Sequence, residues 1–173
     1  FAWTAPLEAH WREIRAEFDA VLARGTPVPP FQEVSPEAGT LTQDAHWRTY
    51  ILCAYGREAR HNADECPRTA ALCRAIPGMK TAFFSIIDPG KVIPSHRGPY
   101  NGLLRCHLGL VVPEPAPGQR GCTMRVGEHR FGWVEGKAVV FDDTFEHEVH
   151  NNTNGVRVVL FLDVLRPMRF PLD

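Results

Sequence analysis

The chain has 173 residues, 44% of them hydrophobic and 23% charged, the balance of an ordinary globular domain long enough to bury one core. A formal net charge of −1 without a polybasic block argues against a nucleic-acid binder and against a surface built for anionic membranes. No apolar run approaches the ~20 residues that span a bilayer, so no stable membrane insertion is expected.

In chain order, Leu7, Trp11, Ile14, Phe18 and Leu22 recur at helical spacing and predict one amphipathic helix. Thr4 and Pro6 supply its start, and Gly25 before Pro27 its stop. Pro27, Pro29, Pro30 and Pro36 then make an irregular connector, and a short second helix is expected from near Pro67 to Ala75, ended by Pro77 and Gly78. From Lys80 the pattern changes to short strands, predicted near 80–87, 91–95, 103–112, 121–126, 137–142 and 155–164. Asp88-Pro89-Gly90, Pro113 to Gly118 and Asn151 to Gly155 provide the breaks. Helices first and strands after give a mostly β, α+β domain closed as a sandwich or barrel. On this reading 1–79 is a helical and connector prelude and 80–173 the β core of a single domain.

Five cysteines, Cys53, Cys66, Cys73, Cys106 and Cys122, form no Cys-x-x-Cys pair, which weakens a structural zinc reading. Cys66 and Cys73 are close enough in sequence to close a small disulfide loop; reduced thiols are the alternative.

The stretch from Leu103 to Val112 carries the first chemical signal. Alternation puts Leu104, Cys106, Leu108, Leu110 and Val112 on one face, so Arg105 and His107 point the other way, into solvent or into a cavity. The last long strand is apolar except for Arg157 and Asp163. An arginine in such a strand needs an anion, either a ligand carboxylate met bidentately or a carboxylate on the barrel rim. Non-haem iron centres use two histidines and one carboxylate on one face of the metal. Here His96-Arg97-Gly98 lacks the carboxylate, and a distant His147 alone is a weak partner, since a lone strand histidine is commonly structural.

Several runs together resemble the aspartyl/asparaginyl β-hydroxylase family of Fe(II)/2-oxoglutarate oxygenases. They are Phe84-Ser85-Ile86 followed by Pro89-Gly90, His96-Arg97-Gly98-Pro99, Leu104-Arg105-Cys106-His107-Leu108-Gly109-Leu110, Phe141-Asp142-Asp143-Thr144-Phe145-Glu146-His147-Glu148-Val149 and Val156-Arg157-Val158. The likeness continues upstream through Trp47 and Cys66-Pro67-x-Thr69. The resemblance implies a double-stranded β-helix of the jelly-roll or cupin-like kind, with the helices packed on it. It implies iron held by His96 and His147 alone, with Gly98 where related oxygenases place the carboxylate and water in the vacated position. Arg157, assisted by Ser85, would take the distal carboxylate of 2-oxoglutarate. Arg105 and His107 would contact the cosubstrate near the metal, and Trp47 would line its pocket. The implied enzyme is a dioxygenase that consumes O2 and 2-oxoglutarate, releases succinate and CO2, and hydroxylates the β-carbon of an aspartyl, asparaginyl or related amino-acid-like substrate. That substrate would be a small molecule, a peptide or carrier-bound. No general acid or base is implied.

The sequence departs from the family pattern in one respect. The animal peptide hydroxylases carry an arginine, two residues before the position of Arg105, that grips the substrate carboxylate, and Leu103 stands there in this chain. A related branch hydroxylates the acyl chain of lipid A; its His-x-Asp motif is not met by Gly98, although Leu103 suits an apolar substrate. Cys66 and Cys73 match the spacing of a disulfide in the animal family. A soluble, cytoplasmic enzyme of bacterial type is the expectation. The alternatives are a lipid acyl-chain hydroxylase of that related branch, a halogenase with chloride in the vacated position, and a non-enzymatic barrel that binds a metal or small anion.

Overall fold

The N-terminal apolar stripe folds as two helices, α1 (Thr4–Ala9) and α2 (Trp11–Ala23), separated at His10, whose φ of −109° and ψ of 16° leave helical space. The structure, a computed structural model, describes residues 1–167. Leu7, Ile14, Phe18 and Val21 are buried, whereas Leu22 is 44% exposed. The predicted stripe therefore ends on Val21 instead of Leu22. Seven residues return a helix to within about 20° of its starting direction, which aligns Val21 with Ile14 and turns Leu22 outward.

A short α3 (Phe31–Val34) and a 3-10 turn lead into β1 (Trp47–Ala54), which pairs with β2 (Arg57–Glu58). Then come α4 (Arg60–Glu65) and α5 (Pro67–Arg74), the latter matching the predicted second helix. The remaining strands are β3 (Met79–Ile87), β4 (Val92–His96), β5 (Leu103–Val111), β6 (Gly121–Val126), β7 (His129–Gly132), β8 (Ala138–Phe141), β9 (His147–Asn152) and β10 (Arg157–Leu165). They form a six-stranded sheet in the order β2-β1-β3-β10-β5-β8 and a four-stranded sheet in the order β4-β9-β6-β7. All pairings in both sheets are antiparallel.

Every predicted strand is present, with ends shifted by a residue or two. Four more were not predicted, among them the two-residue β2. β1 lies inside the stretch read as prelude, yet Trp47, Thr49, Tyr50 and Ile51 are strand formers and could have announced it. β7 is short and mostly exposed. β9, His-Glu-Val-His-Asn-Asn, lacks an apolar run because two of its three inward residues, His147 and Asn151, are polar.

Two apolar cores share the larger sheet. On its outer face Leu7, Ile14 and Phe18 pack over Phe84, Leu108 and Leu160. Between the sheets Phe83, Ile87, Met124, Val149 and Phe161 form the second core. β10 serves both, sending Val158, Leu160 and Leu162 toward the helices and Val159 and Phe161 inward. The same alternation in β5 puts Cys106, Leu108 and Leu110 under the helices. Arg105 and His107 consequently face the space between the sheets, which decides between solvent and cavity.

All five cysteines are buried and none is in a disulfide among the described residues. Cys66 caps α5 and Cys73 lies in its last turn, and burial pushes both thiols up to about 12. No described helix is long and apolar enough to cross a membrane.

Candidate active site

The four-stranded sheet places His96 at the end of β4 directly opposite His147 at the start of β9. Their rings lie 4.1 Å apart, tilted by 53°. Each Nδ1 faces the main-chain carbonyl two residues before it, His96 toward Pro94 at 2.8 Å and His147 toward Phe145 at 2.9 Å. A carbonyl only accepts, so each Nδ1 carries the proton and each Nε2 keeps a lone pair. This is the tautomer a metal-binding histidine needs, held by the backbone before any metal arrives. Burial lowers the pKa of both imidazoles, that of His147 to about 4, so both are neutral donors near pH 7. Two convergent imidazoles fit a divalent transition metal better than calcium or magnesium. Among the described residues no group of three or more His, Cys, Asp and Glu side chains converges on one point.

The glycine two residues after His96 has a steric cause. A Cβ built on Gly98 would strike the carboxylate of Asp143, and the Gly98 N–H donates to the Asp143 carbonyl at 2.7 Å. Asp143 was not singled out from sequence; its signal was the Asp142-Asp143 doublet before His147. It is buried, with one oxygen 2.9 Å from Arg105 and the other without a partner. Burial pushes its pKa upward, and the Arg105 guanidinium opposes that shift.

Arg105 is more committed to protein partners than the resemblance implied. It pairs with Asp143 at 2.9 Å and with Asp163 at 3.0 Å, and its guanidinium lies 4.7 Å above the Phe161 ring. Two carboxylates thus answer its one charge before any ligand enters.

Arg157 is the opposite case. Only 1% exposed, it has no carboxylate partner among the described residues, which removes the barrel-rim alternative. Its Nε and Nη1 have no hydrogen-bond partner. Cys122 touches the guanidinium, and burial lowers the Arg157 pKa to about 10. His107 lies near it, packed against Trp133, Phe141 and Phe161, with both ring nitrogens unpartnered. Burial first, then the charge of Arg157, drives the His107 pKa well below the ordinary imidazole value. Ser85, which pairs across β3 with Thr49 and Val159, accepts the Trp47 indole N–H at 3.1 Å. Each buried polar group left unsatisfied costs about 1–3 kcal/mol. A barrel interior that leaves Arg157, His107, Thr49 and Trp133 unsatisfied together is built for a polar guest carrying negative charge.

Beside this interior opens a cavity of about 510 Å³. Phe31, Leu41, Ile51, Phe83, Leu103 and Phe161 give it an apolar wall, and His96, Arg105 and Asp163 interrupt it. Trp47 lines this cavity, whereas Ser85, His107 and Arg157 do not. The structure therefore has two compartments, an orphan-lined interior and an apolar cavity, with His96 of the histidine pair lining the second.

Fold and site together define a double-stranded β-helix that presents two histidines at one rim. The chain belongs to the aspartyl/asparaginyl beta-hydroxylase family, whose model matches residues 8–167. It is 46% identical over 171 residues to an ornithine lipid ester-linked acyl 2-hydroxylase of Rhizobium tropici, across 99% of this chain and 60% of that protein. To the human aspartyl/asparaginyl beta-hydroxylase it is 33% identical over 170 residues, 95% of this chain and 21% of that one. The chain thus spans less than two thirds of the length of either relative. Among solved structures a Pseudomonas putida prolyl-4-hydroxylase is similar in fold, with a TM-score of 0.57 at 19% identity, covering 91% of this chain and 88% of that one.

Proposed function

We propose that this chain is an Fe(II)- and 2-oxoglutarate-dependent dioxygenase that hydroxylates a C–H bond of an acyl chain. The observation that carries the reading is the adjacency of two kinds of incompleteness. His96 and His147 converge with their Nε2 lone pairs unengaged, and Arg157 is buried without an anion. One calls for a metal and the other for a carboxylate, and a dicarboxylate cosubstrate that also ligates the metal answers both.

Iron(II), when bound, would supply the oxygen activation, and 2-oxoglutarate the electron pair; the sum is substrate C–H, O2 and 2-oxoglutarate to C–OH, succinate and CO2. His96 and His147 would hold the ion. Arg157 would receive the distal carboxylate, with Ser85 and His107 hydrogen-bonding to the cosubstrate. Arg105, pinned by Asp143 and Asp163, would present a fixed positive edge beside the metal side of the cosubstrate. The apolar wall would exclude water and orient the substrate.

The choice of an acyl chain is supported by the cavity wall and by Leu103, which offers no charge to a substrate carboxylate. It is also supported by the name of the 46% identical relative. The second reading, hydroxylation of an aspartyl or asparaginyl β-carbon in a peptide, draws on the 33% identity to the human protein. Succinate release by the Fe(II)-loaded protein decides between them when acyl lipids and aspartyl or asparaginyl peptides are offered in parallel. We expect lipid-dependent succinate and a product heavier by one oxygen whether or not chloride is present. Peptide-dependent turnover alone would overturn the acyl reading, and a protein that cannot bind metal and 2-oxoglutarate together is no oxygenase of this kind.

A further inference from the structure

Trp133 follows β7 and enters the interior from the four-stranded sheet, where it is 4% exposed. No sequence motif singled it out. Its ring lies 4.6 Å below the Arg157 guanidinium and 5.9 Å from the His107 ring, nearly parallel to the latter at 25°. The indole thus forms a plate against which both interior cations or donors rest. An arginine laid on an aromatic face loses rotational freedom and keeps its charge, because the ring accepts no proton and offers no competing anion.

The second feature is the indole N–H. It is buried and has no hydrogen-bond partner, in a protein where the comparably buried Trp47 indole donates to Ser85. Buried tryptophans ordinarily find an acceptor. The unsatisfied donors around it include Arg157 Nε and Nη1, so three N–H-bearing atoms on these two stacked side chains lack an acceptor in the same interior. A single carboxylate has lone pairs enough for all of them.

Resting on the reading of 2-oxoglutarate as cosubstrate, we propose that Trp133 is a further cosubstrate-binding residue. Its ring fixes Arg157, and its N–H donates to the carboxylate that Arg157 receives. Arg157 then supplies charge and Trp133 supplies a neutral, directional donor. The pair selects a 2-oxoacid with a second carboxylate over one without.

Nuclear magnetic resonance on the Zn(II)-loaded full chain tests this, since zinc is diamagnetic and does not turn over. The chain has four tryptophans, Trp3, Trp11, Trp47 and Trp133, hence four indole N–H signals. Titrating 2-oxoglutarate should shift the signal missing from Trp133→Phe downfield. Pyruvate, which lacks the distal carboxylate, should leave it in place. If Trp133→Phe does not fold, Trp3→Phe, Trp11→Phe and Trp47→Phe assign the signal by elimination. By calorimetry, Trp133→Phe should weaken 2-oxoglutarate about fivefold to tenfold, the loss of one hydrogen bond, and should not alter pyruvate binding. Wild-type protein that binds 2-oxoglutarate with an unmoved Trp133 signal and an unchanged constant in Trp133→Phe overturns this inference alone. Wild-type protein that binds no 2-oxoglutarate at all overturns the cosubstrate reading and this inference with it.

Discussion

The two faces of the six-stranded sheet come from the same strands and are finished differently. Toward the helices, β5 and β10 present Cys106, Leu108, Leu110, Val158, Leu160 and Leu162, all buried and all apolar. Toward the second sheet the same two strands present Arg105, His107, Arg157 and Asp163 among aromatic rings. The outer face is complete as folded. The inner face holds several unpartnered buried polar atoms. Because side chains alternate along a strand, stability and chemistry are interleaved residue by residue, and one residue of slippage would exchange them. The helices therefore clamp the register of the strands that carry the site.

Substitutions on the two faces should separate these roles. The largest effect is expected at the metal side: His96→Ala or His147→Ala should abolish succinate release and metal retention with little change in melting temperature. Residual turnover in either would break the metal assignment. Next, Arg157→Leu and Leu160→Ala, three residues apart on β10, should behave oppositely. Leu160→Ala should lose about 2–5 kcal/mol in denaturant unfolding, as for a cavity left in a core, with cosubstrate affinity retained. Arg157→Leu should weaken 2-oxoglutarate by about one to two orders of magnitude, the loss of charged hydrogen bonds, without lowering stability. Equal destabilisation by both would mean that the inner face is finished without a ligand.

A smaller effect is expected at Gly98. Gly98→Asp restores the carboxylate common in related iron centres, but collides with Asp143. Overpacking of this kind costs about 1–3 kcal/mol. Thermal melts of Gly98→Asp and of Gly98→Asp combined with Asp143→Gly check it, and the second change should restore much of the loss. The smallest effect is one of pH. His107 is held neutral by burial and by the charges of Arg157 and Arg105, with its neighbour His147 acting in the same direction. Its folded pKa lies below the ordinary 6.5, so its unfolded form takes up a proton first as pH falls. Its contribution to stability is full above about 6.5 and is lost as pH drops below that. His107→Phe should flatten this part of the stability profile, and an unchanged slope would place the acid sensitivity elsewhere.

Much of this arrangement was legible without coordinates. The alternation in β5 separated Arg105 and His107 from the apolar set, and the isolation of Arg157 in an apolar strand announced an anion. Both signals are local, since burying a charge is costly wherever the strand ends up. The helix stripe was legible except at its end, where the break at His10 and the seven-residue alignment exchanged Leu22 for Val21. β9 was not legible, because its inward residues are the polar ones, and a strand that carries the site loses the apolar alternation that advertises a strand. Trp133 and Asp143 were invisible for a different reason. Neither lies near its partners in sequence: Trp133 reaches Arg157 from the other sheet, and Asp143 reaches Gly98 across a loop contact.

The sequence by itself determined which residues could not be ordinary: two histidines without a third ligand, a buried arginine without a base, and a leucine where the family's peptide hydroxylases carry a charge. Residue chemistry sets these, and each imposes its cost in any fold. Only the tertiary structure decided how they are satisfied. It turned Gly98 from a missing ligand into the space that the Asp143 carboxylate fills, and it bound Arg105 to two carboxylates while leaving Arg157 with none. Partnership of that kind is a matter of distance between strands far apart in sequence, which no local pattern encodes.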